Sequence, residues 1–509
     1  MKLYLRRATA GFMGFFVLGL ATVNLDSAPP VWWDEGWTLS VARNWVVDGH
    51  YGRYLLGQPA PPDLAAAFPV TASVAMSFRF FGVGLIQGRV PSVLFTLGTL
   101  ALLYHLARHL YDRRVGITAL LVLLFTPFHY DIHPVLAGRQ VLGEMPALFF
   151  LLAGYTVFLS AQKRPLIALP LSACFWGVAL VTKLQVFPFW LASILVPLAI
   201  ALLTRRWKIV LLLTVGLCAS FLSARGIIWL QQILLDGATN RLSPMPGLYY
   251  VTALVTAPRA RALALSFTAF FGIPTVGGLC YVAWKLMKGK RQVFAPNQAE
   301  IVQLSLLVLA ATWFVWFLIL SAGWLRYFFP VTVIGSIFTA AMLVNLTSNL
   351  TQRPQRNAVA SSTCGPWLTI PRIATTLILL VVAASVPLTL RMLRYTYFTN
   401  ADSSILQVSH FLNTETSSNA LIETYDPELF FLLERPYHYP PDQLHIKLIR
   451  RYIFRQPLAI EYDPLAQDPE YLVVGPRRKL WPLYEAVLST GAFHLIKSYG
   501  DYQIYHRLR

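Results

Sequence analysis

Eleven apolar segments decide what this chain can become. They lie near residues 8–25, 88–107, 115–131, 146–161, 166–182, 186–204, 208–224, 262–284, 301–320, 327–346 and 373–390, and each is about long enough to cross roughly 30 Å of hydrocarbon as a helix. Of the 509 residues, 56% are hydrophobic and only 13% charged, with a mean hydropathy of +0.55. That is too apolar for an ordinary soluble protein of this length. The chain reads as an α-helical polytopic membrane protein.

The formal net charge of +19 would suggest nucleic acid in a soluble protein, but here the loops explain it. With the N-terminus (Lys2, Arg6, Arg7) in the cytoplasm, the alternate loops carry Arg108/Arg113/Arg114, Lys163/Arg164, Arg205/Arg206/Lys208, Lys285/Lys288/Lys290/Arg291 and Arg353/Arg356/Arg372. Nearly all the basic loop clusters thus fall on one side, as the positive-inside rule requires, with Arg259 and Arg261 as the exception. No nucleic-acid partner is implied. The first apolar segment has a long core and no Ala-x-Ala site after it, so it reads as an uncleaved anchor. Cys174, Cys218 and Cys280 lie in spans and Cys364 in a cytoplasmic loop, which leaves no pair to staple an external domain.

Three long stretches then face outward: residues 26–87, residues 225–261 and everything after about 391. The first of these, within a membrane module of residues 1–391, reads as two interfacial helices, over 36–48 and 64–82, separated by Pro59-Ala60-Pro61-Pro62. Residues 392–509 change in composition. Runs such as Ala420 to Thr424, Tyr471 to Val474 and Tyr502 to Tyr505 alternate like strands, and Ser404 to Asn413 and Trp481 to Gly491 read as helices, predicting a small extracytoplasmic α/β domain.

Four charged clusters fall at the outward ends of the spans. They are Asp34-Glu35, set among Trp32, Trp33 and Trp37; Gly138-Arg139 with Glu144, preceded by His129, Asp131 and His133; Thr182-Lys183; and Trp324-Leu325-Arg326-Tyr327. Any one alone reads equally well as a solvated helix end or a snorkelling side chain. Acids from two loops and bases from two others at one membrane face are what a site needs if it is to hold a phosphate and activate a hydroxyl. His50, His129 and His133 have no spacing that fixes a metal set, and Asp131 reads as structural.

These residues, in this order, resemble the GT-C superfamily of polyprenyl-phosphate-sugar glycosyltransferases, in particular the bacterial branch related to protein O-mannosyltransferases and the lipid A aminoarabinose transferase. The resemblance rests on Asp34-Glu35 after the first span, Gly88-Arg89-Val90-Pro91-Ser92 opening the second, Gly138-Arg139 with Glu144, Thr182-Lys183, and Arg326-Tyr327 opening the tenth. It covers residues 1–345. It implies Asp34 as general base, with Glu35 and Glu144 as neighbouring catalytic acids. It implies Lys183 and Arg326, with Arg139 and Arg89, as ligands of the donor phosphate. It leaves a divalent cation open.

The implied partners are a polyprenyl-phosphate-linked sugar, membrane lipids and a hydroxyl-bearing acceptor (lipid, glycan or protein), at the outer face of a bacterial inner membrane. The chemistry agrees: a lipid phosphate leaves as a stable anion, so one base and a basic cradle suffice for inverting displacement. A lipid-linked-sugar flippase or transporter is the competing class. Transporters set their charges near the bilayer midplane, whereas here the acids gather at one interface.

Eleven crossings place the C-terminus outside. An alkaline phosphatase fused after Arg509 is therefore expected to be active and a cytoplasm-dependent reporter silent; the reverse pattern would mean that residues 64–82 also cross.

Overall fold

Helices form wherever the sequence is apolar for long enough. The computed structural model describes residues 14–235, 253–288, 297–352, 369–399, 401–479 and 481–508. Within them each of the eleven apolar segments contains a helix. Among the described residues eight helical stretches, the first being Leu85–Leu110 and the last the helix that ends at Arg394, have the length and composition to cross a membrane. Arg113–Phe125 and Glu144–Phe158 are shorter, and the first segment is described only from residue 14, being helical over 14–22. The basic residues Lys2, Arg6, Arg7, Lys290, Arg291, Arg353 and Arg356, with Cys364, lie outside the described residues.

Capping residues set several helix starts. Asp112 accepts from the Val115 amide at 2.8 Å, and Asn297 and Glu300 exchange side-chain and backbone hydrogen bonds ahead of Gln298–Ile319. The helix Leu325–Ser348 is the centre of the bundle: 94% of its apolar window is buried, against 17% to 50% for the other seven. It carries Arg326 at its outer start.

The first loop differs from its sequence reading in three ways. Its first helix, α1 (Trp33–Asp48), begins three residues earlier than expected, so Asp34 and Glu35 sit in its first turn. A hairpin of β1 (Arg53–Leu55) and β2 (Gln58–Ala60) replaces the simple break expected around Pro59. Leu56 and Gly57 both have positive φ, the conformation that two-residue hairpin turns require. The second helix, α2 (Phe68–Phe81), has 14 residues, too few to span. Trp33 and Trp37 are 4% and 2% exposed and pack on the C-terminal region.

Two arginines expected at the donor phosphate hold this part of the fold together. Arg89 is fully buried and donates twice to Glu35, itself fully buried, at 2.8 Å each, and to the Leu25 carbonyl at 3.0 Å. Glu35 also accepts from the amides of Trp32 and Val141, both at 3.1 Å. Arg139 donates to the carbonyls of Leu20 and Val23 at 3.3 and 2.6 Å and lies 4.9 Å from the Tyr397 ring centroid. The guanidiniums thus satisfy carbonyls at the C-terminal end of the first helix, where backbone acceptors lack partners and cations are favoured.

The C-terminal region is a five-stranded mixed sheet. In chain order its elements are α3 (Ser404–Glu415), β3 (Ile422–Thr424), β4 (Tyr437–His438), α4 (Asp442–Phe454), β5 (Tyr471–Val474), α5 (Glu485–Ser489), β6 (Phe493–Tyr499) and β7 (Tyr502–Arg507). The sheet order is β4-β3-β5-β7-β6, with β4, β3 and β5 parallel and the remaining pairings antiparallel.

Its core (Val408, Leu412, Ile422, Leu472, Val473, Ile504) is continuous with Trp33 and Trp37. Three further ties join it to the first loop. Arg53 makes a bidentate pair with Asp442 at 2.9 and 2.7 Å, and the Leu56 amide donates to the Tyr437 carbonyl at 3.0 Å. Gly36 lets the backbone of Pro427 and Glu428 approach so closely that a Cβ there would sit 2.5 Å from it.

Breaking a buried ion pair by removing one charge costs about 3–5 kcal/mol. Glu35→Gln is accordingly expected to lower the melting temperature and yield of the purified protein sharply. A variant with wild-type stability would show that the pair does not anchor α1.

Candidate active site

Four of the residues singled out from the sequence meet in one place. Asp34 comes from the first turn of α1 and Arg326 from the 3-10 turn Leu325–Phe328. Glu144 opens the helix Glu144–Phe158, and Lys183 ends the helix Pro165–Thr182. Arg326 Nη1 stands 2.5 Å from Asp34 Oδ2, and Lys183 Nζ stands 2.5 Å from Glu144 Oε1. Both pairs line a cavity of about 270 Å3, to which Thr38, Asp63 and His445 also contribute. A second cavity, of about 350 Å3, shares Asp34, Arg326 and His445 with the first and adds His129, Asp131, Arg477 and Trp481.

The pairs are held differently. Arg326 is surrounded by the rings of Trp32, Trp324 and Tyr327, at 5.8, 5.2 and 5.6 Å, an environment that fixes a guanidinium while leaving its edge to make ion pairs. The Asp34 side chain remains 41% accessible. Burial acts to raise its carboxyl pKa, but the charge of Arg326 and the hydrogen bond it donates outweigh burial and hold it below the ordinary value.

His445 stacks on Trp33 at 5.2 Å and meets the Tyr425 hydroxyl through Nδ1 at 2.8 Å. Burial pushes it down to about 4, so it stands neutral at physiological pH.

Three expected site residues lie elsewhere. Glu35, Arg89 and Arg139 line neither cavity; Glu35 and Arg89 pair with each other, and the terminal nitrogens of Arg139 go to backbone carbonyls. The histidines weighed as metal ligands are also dispersed. His133 caps the helix Pro134–Arg139 and faces the Leu124 carbonyl, His50 faces the Ala60 carbonyl, and only His129 stands near an acid, Asp131, at 3.7 Å. Among the described residues no three His, Cys, Asp or Glu side chains gather as a metal site.

The residues that sequence reasoning missed come from the C-terminal region. His445 and Ile449 project from α4, and Arg477 and Trp481 follow β5. Leu444, Leu448 and Ile449 show the helical spacing that makes α4 legible, but nothing local says that the face bearing His445 meets Asp34, more than 400 residues away in sequence.

Comparison with known proteins bears on the whole arrangement. Residues 68–229 match the family model for dolichyl-phosphate-mannose-protein mannosyltransferase. Over 98% of both chains the fold superimposes on ArnT from Cupriavidus metallidurans bound to undecaprenyl phosphate, with a TM-score of 0.66 at 14% identity. The chain has the GT-C glycosyltransferase fold. The apo state of the same ArnT gives a TM-score of 0.63 at 15% identity, again over 98% of both chains. The archaeal oligosaccharyltransferase AglB from Archaeoglobus fulgidus, in complex with an inhibitory peptide and a dolichol-phosphate, gives 0.54 at 10% identity over 98% of this chain and 74% of that one. No curated protein matches the chain in sequence. The family match and the GT-C fold agree on a membrane glycosyltransferase and do not favour a flippase or transporter.

Replacing Arg326 removes the largest influence that keeps the Asp34 carboxyl low and leaves only weaker ones, Lys183 among them, to oppose burial. In Arg326→Gln the acid limb of the pH–kcat/KM profile is therefore expected to move to higher pH. An unmoved limb would show that Arg326 does not set the Asp34 charge.

Proposed function

We propose that this chain transfers a sugar from a polyprenyl-phosphate donor to a hydroxyl acceptor, with inversion, at the outer face of a bacterial plasma membrane. The observation that carries the reading is the meeting, in one cavity, of an accessible carboxylate with two cations that can receive a phosphate. Arg326 Nε, buried and without a hydrogen-bond partner among the described residues, leaves a donor in reserve for an anion. Undecaprenyl phosphate and dolichol-phosphate bound to the two structural neighbours support a donor of that class here. The basic loops of the opposite side support the outward orientation.

In this reaction Asp34 takes the acceptor proton as the acceptor oxygen attacks the anomeric carbon. The bond from that carbon to the phosphate oxygen breaks, and the lipid phosphate leaves with the electron pair. Arg326 and Lys183 stabilise the charge that gathers on it. Glu144 positions Lys183, and Glu35 acts through the placement of α1 instead of touching the reactants. The residues present do not fit a resident divalent cation: Asp34 and Glu144 each already face a side-chain cation, and among the described residues no third ligand joins them.

Asp34→Asn is expected to reduce sugar transfer roughly 100-fold or more, the contribution of a general base, while binding of undecaprenyl phosphate persists. Lys183→Ala and Arg326→Ala are expected to weaken that binding. Undiminished transfer by Asp34→Asn would end the assignment, and unchanged lipid affinity in both cation variants would end the phosphate cradle.

A further inference from the structure

The transfer chemistry leaves one cavity unused, in the C-terminal sheet. After β3 the chain turns toward β4, and after β5 it leaves in the other direction, toward β6 and β7. Connections diverging from adjacent parallel strands open a crevice beyond the strands' carboxyl ends, where ligands of open α/β sheets bind. Here the crevice has a volume of about 230 Å3 and is lined by Tyr425 and Asp426 after β3, by Gly475, Arg477 and Arg478 after β5, and by Trp481. Gly475 has no side chain because the Asp426 carboxylate occupies its place: a Cβ would lie 2.4 Å from Oδ1. Its amide donates to Oδ2 at 2.8 Å.

The polar groups of this crevice are incompletely used. Asp426 is 2% exposed, and neither its Oδ1 nor the Trp481 Nε1 has a hydrogen-bond partner among the described residues. Leaving buried polar atoms unpaired is costly. One of these atoms accepts and the other donates, which matches adjacent sugar hydroxyls, able to do both.

Charge argues against an anionic ligand. Arg477 Nε stands 3.5 Å from Glu428 without a hydrogen bond, Arg478 is bonded to Gln503, and the acids Asp426 and Glu485 line the crevice beside the two arginines, so with Glu428 the acids outnumber the cations. Tyr425 and Trp481 add ring faces suited to the apolar face of a pyranose.

The crevice is also continuous with the candidate active site. Arg477 and Trp481 line it and the 350 Å3 cavity alike, and the latter reaches Asp34. We propose that the acceptor is a glycan of several units and that this crevice binds one of its uncharged sugar rings, away from the hydroxyl presented to Asp34. The proposal rests on the transfer reading above and names its acceptor class.

The test uses the full chain in detergent. Tryptophan fluorescence is titrated with maltotetraose, chitotetraose, their monosaccharides and a hexapeptide, and undecaprenyl phosphate binding is measured in parallel. At least one tetrasaccharide is expected to bind at millimolar concentration or better, and more tightly than its monosaccharide. Asp426→Asn, which removes one acceptor, and Leu488→Trp, which fills the crevice, are each expected to weaken this binding roughly tenfold with undecaprenyl phosphate affinity unchanged. Absence of saccharide binding, equal binding by both variants, or peptide binding that the variants abolish would overturn the proposal. Because the lipid is read separately, failure of the donor site appears as lost undecaprenyl phosphate binding, whatever the saccharides do.

Discussion

The ion pair between Glu35 and Arg89 is the constraint on which the rest of the structure depends. Two charges removed from water cost several kcal/mol each unless every lone pair and proton finds a partner. Glu35 meets that condition with both Arg89 donors and the amides of Trp32 and Val141. In doing so it joins the start of α1, the first turns of the helix Leu85–Leu110 and the loop that leads to Glu144. Successive residues on a helix point about 100° apart, so burying Glu35 inward turns Asp34 toward the cavity. One carboxylate is sequestered so that its neighbour is aimed.

The spans were legible because crossing lipid demands a length and a composition that no short-range detail can disguise. Asp34, Glu144, Lys183 and Arg326 were legible for a related reason: ionised groups at the ends of apolar helices are expensive enough to mark a site. The same argument does not separate Glu35, Arg89 and Arg139, which line neither cavity, because a sequence shows that a charge lies near the membrane surface but not which groups satisfy it. The two-residue strand β4 is too short to show alternation. His445, Arg477 and Trp481 reach Asp34 only through tertiary packing across most of the chain.

Two interactions decide how the C-terminal region can contribute to the site at all. Gly36 brings its backbone against α1, and the bidentate pair of Arg53 with Asp442 ties the first turn of α4 to the hairpin. His445 lies three residues beyond Asp442 on that helix, so the salt bridge and the close approach together set where the imidazole stands. Family resemblance had drawn attention to the first 345 residues; packing makes residues 442–481 part of the same chamber.

The hydrogen bond from Leu56 to the Tyr437 carbonyl has a consequence for solubility. β4 is one margin of the five-stranded sheet, and an uncovered margin offers its amides and carbonyls to any passing strand. The hairpin turn of the first loop occupies that margin, while the opposite one, β6, is interrupted between Leu495 and Lys497, a feature that discourages pairing. A C-terminal fragment produced without the first loop would therefore carry an open template for edge-to-edge association, and would be prone to aggregate even with its own core intact.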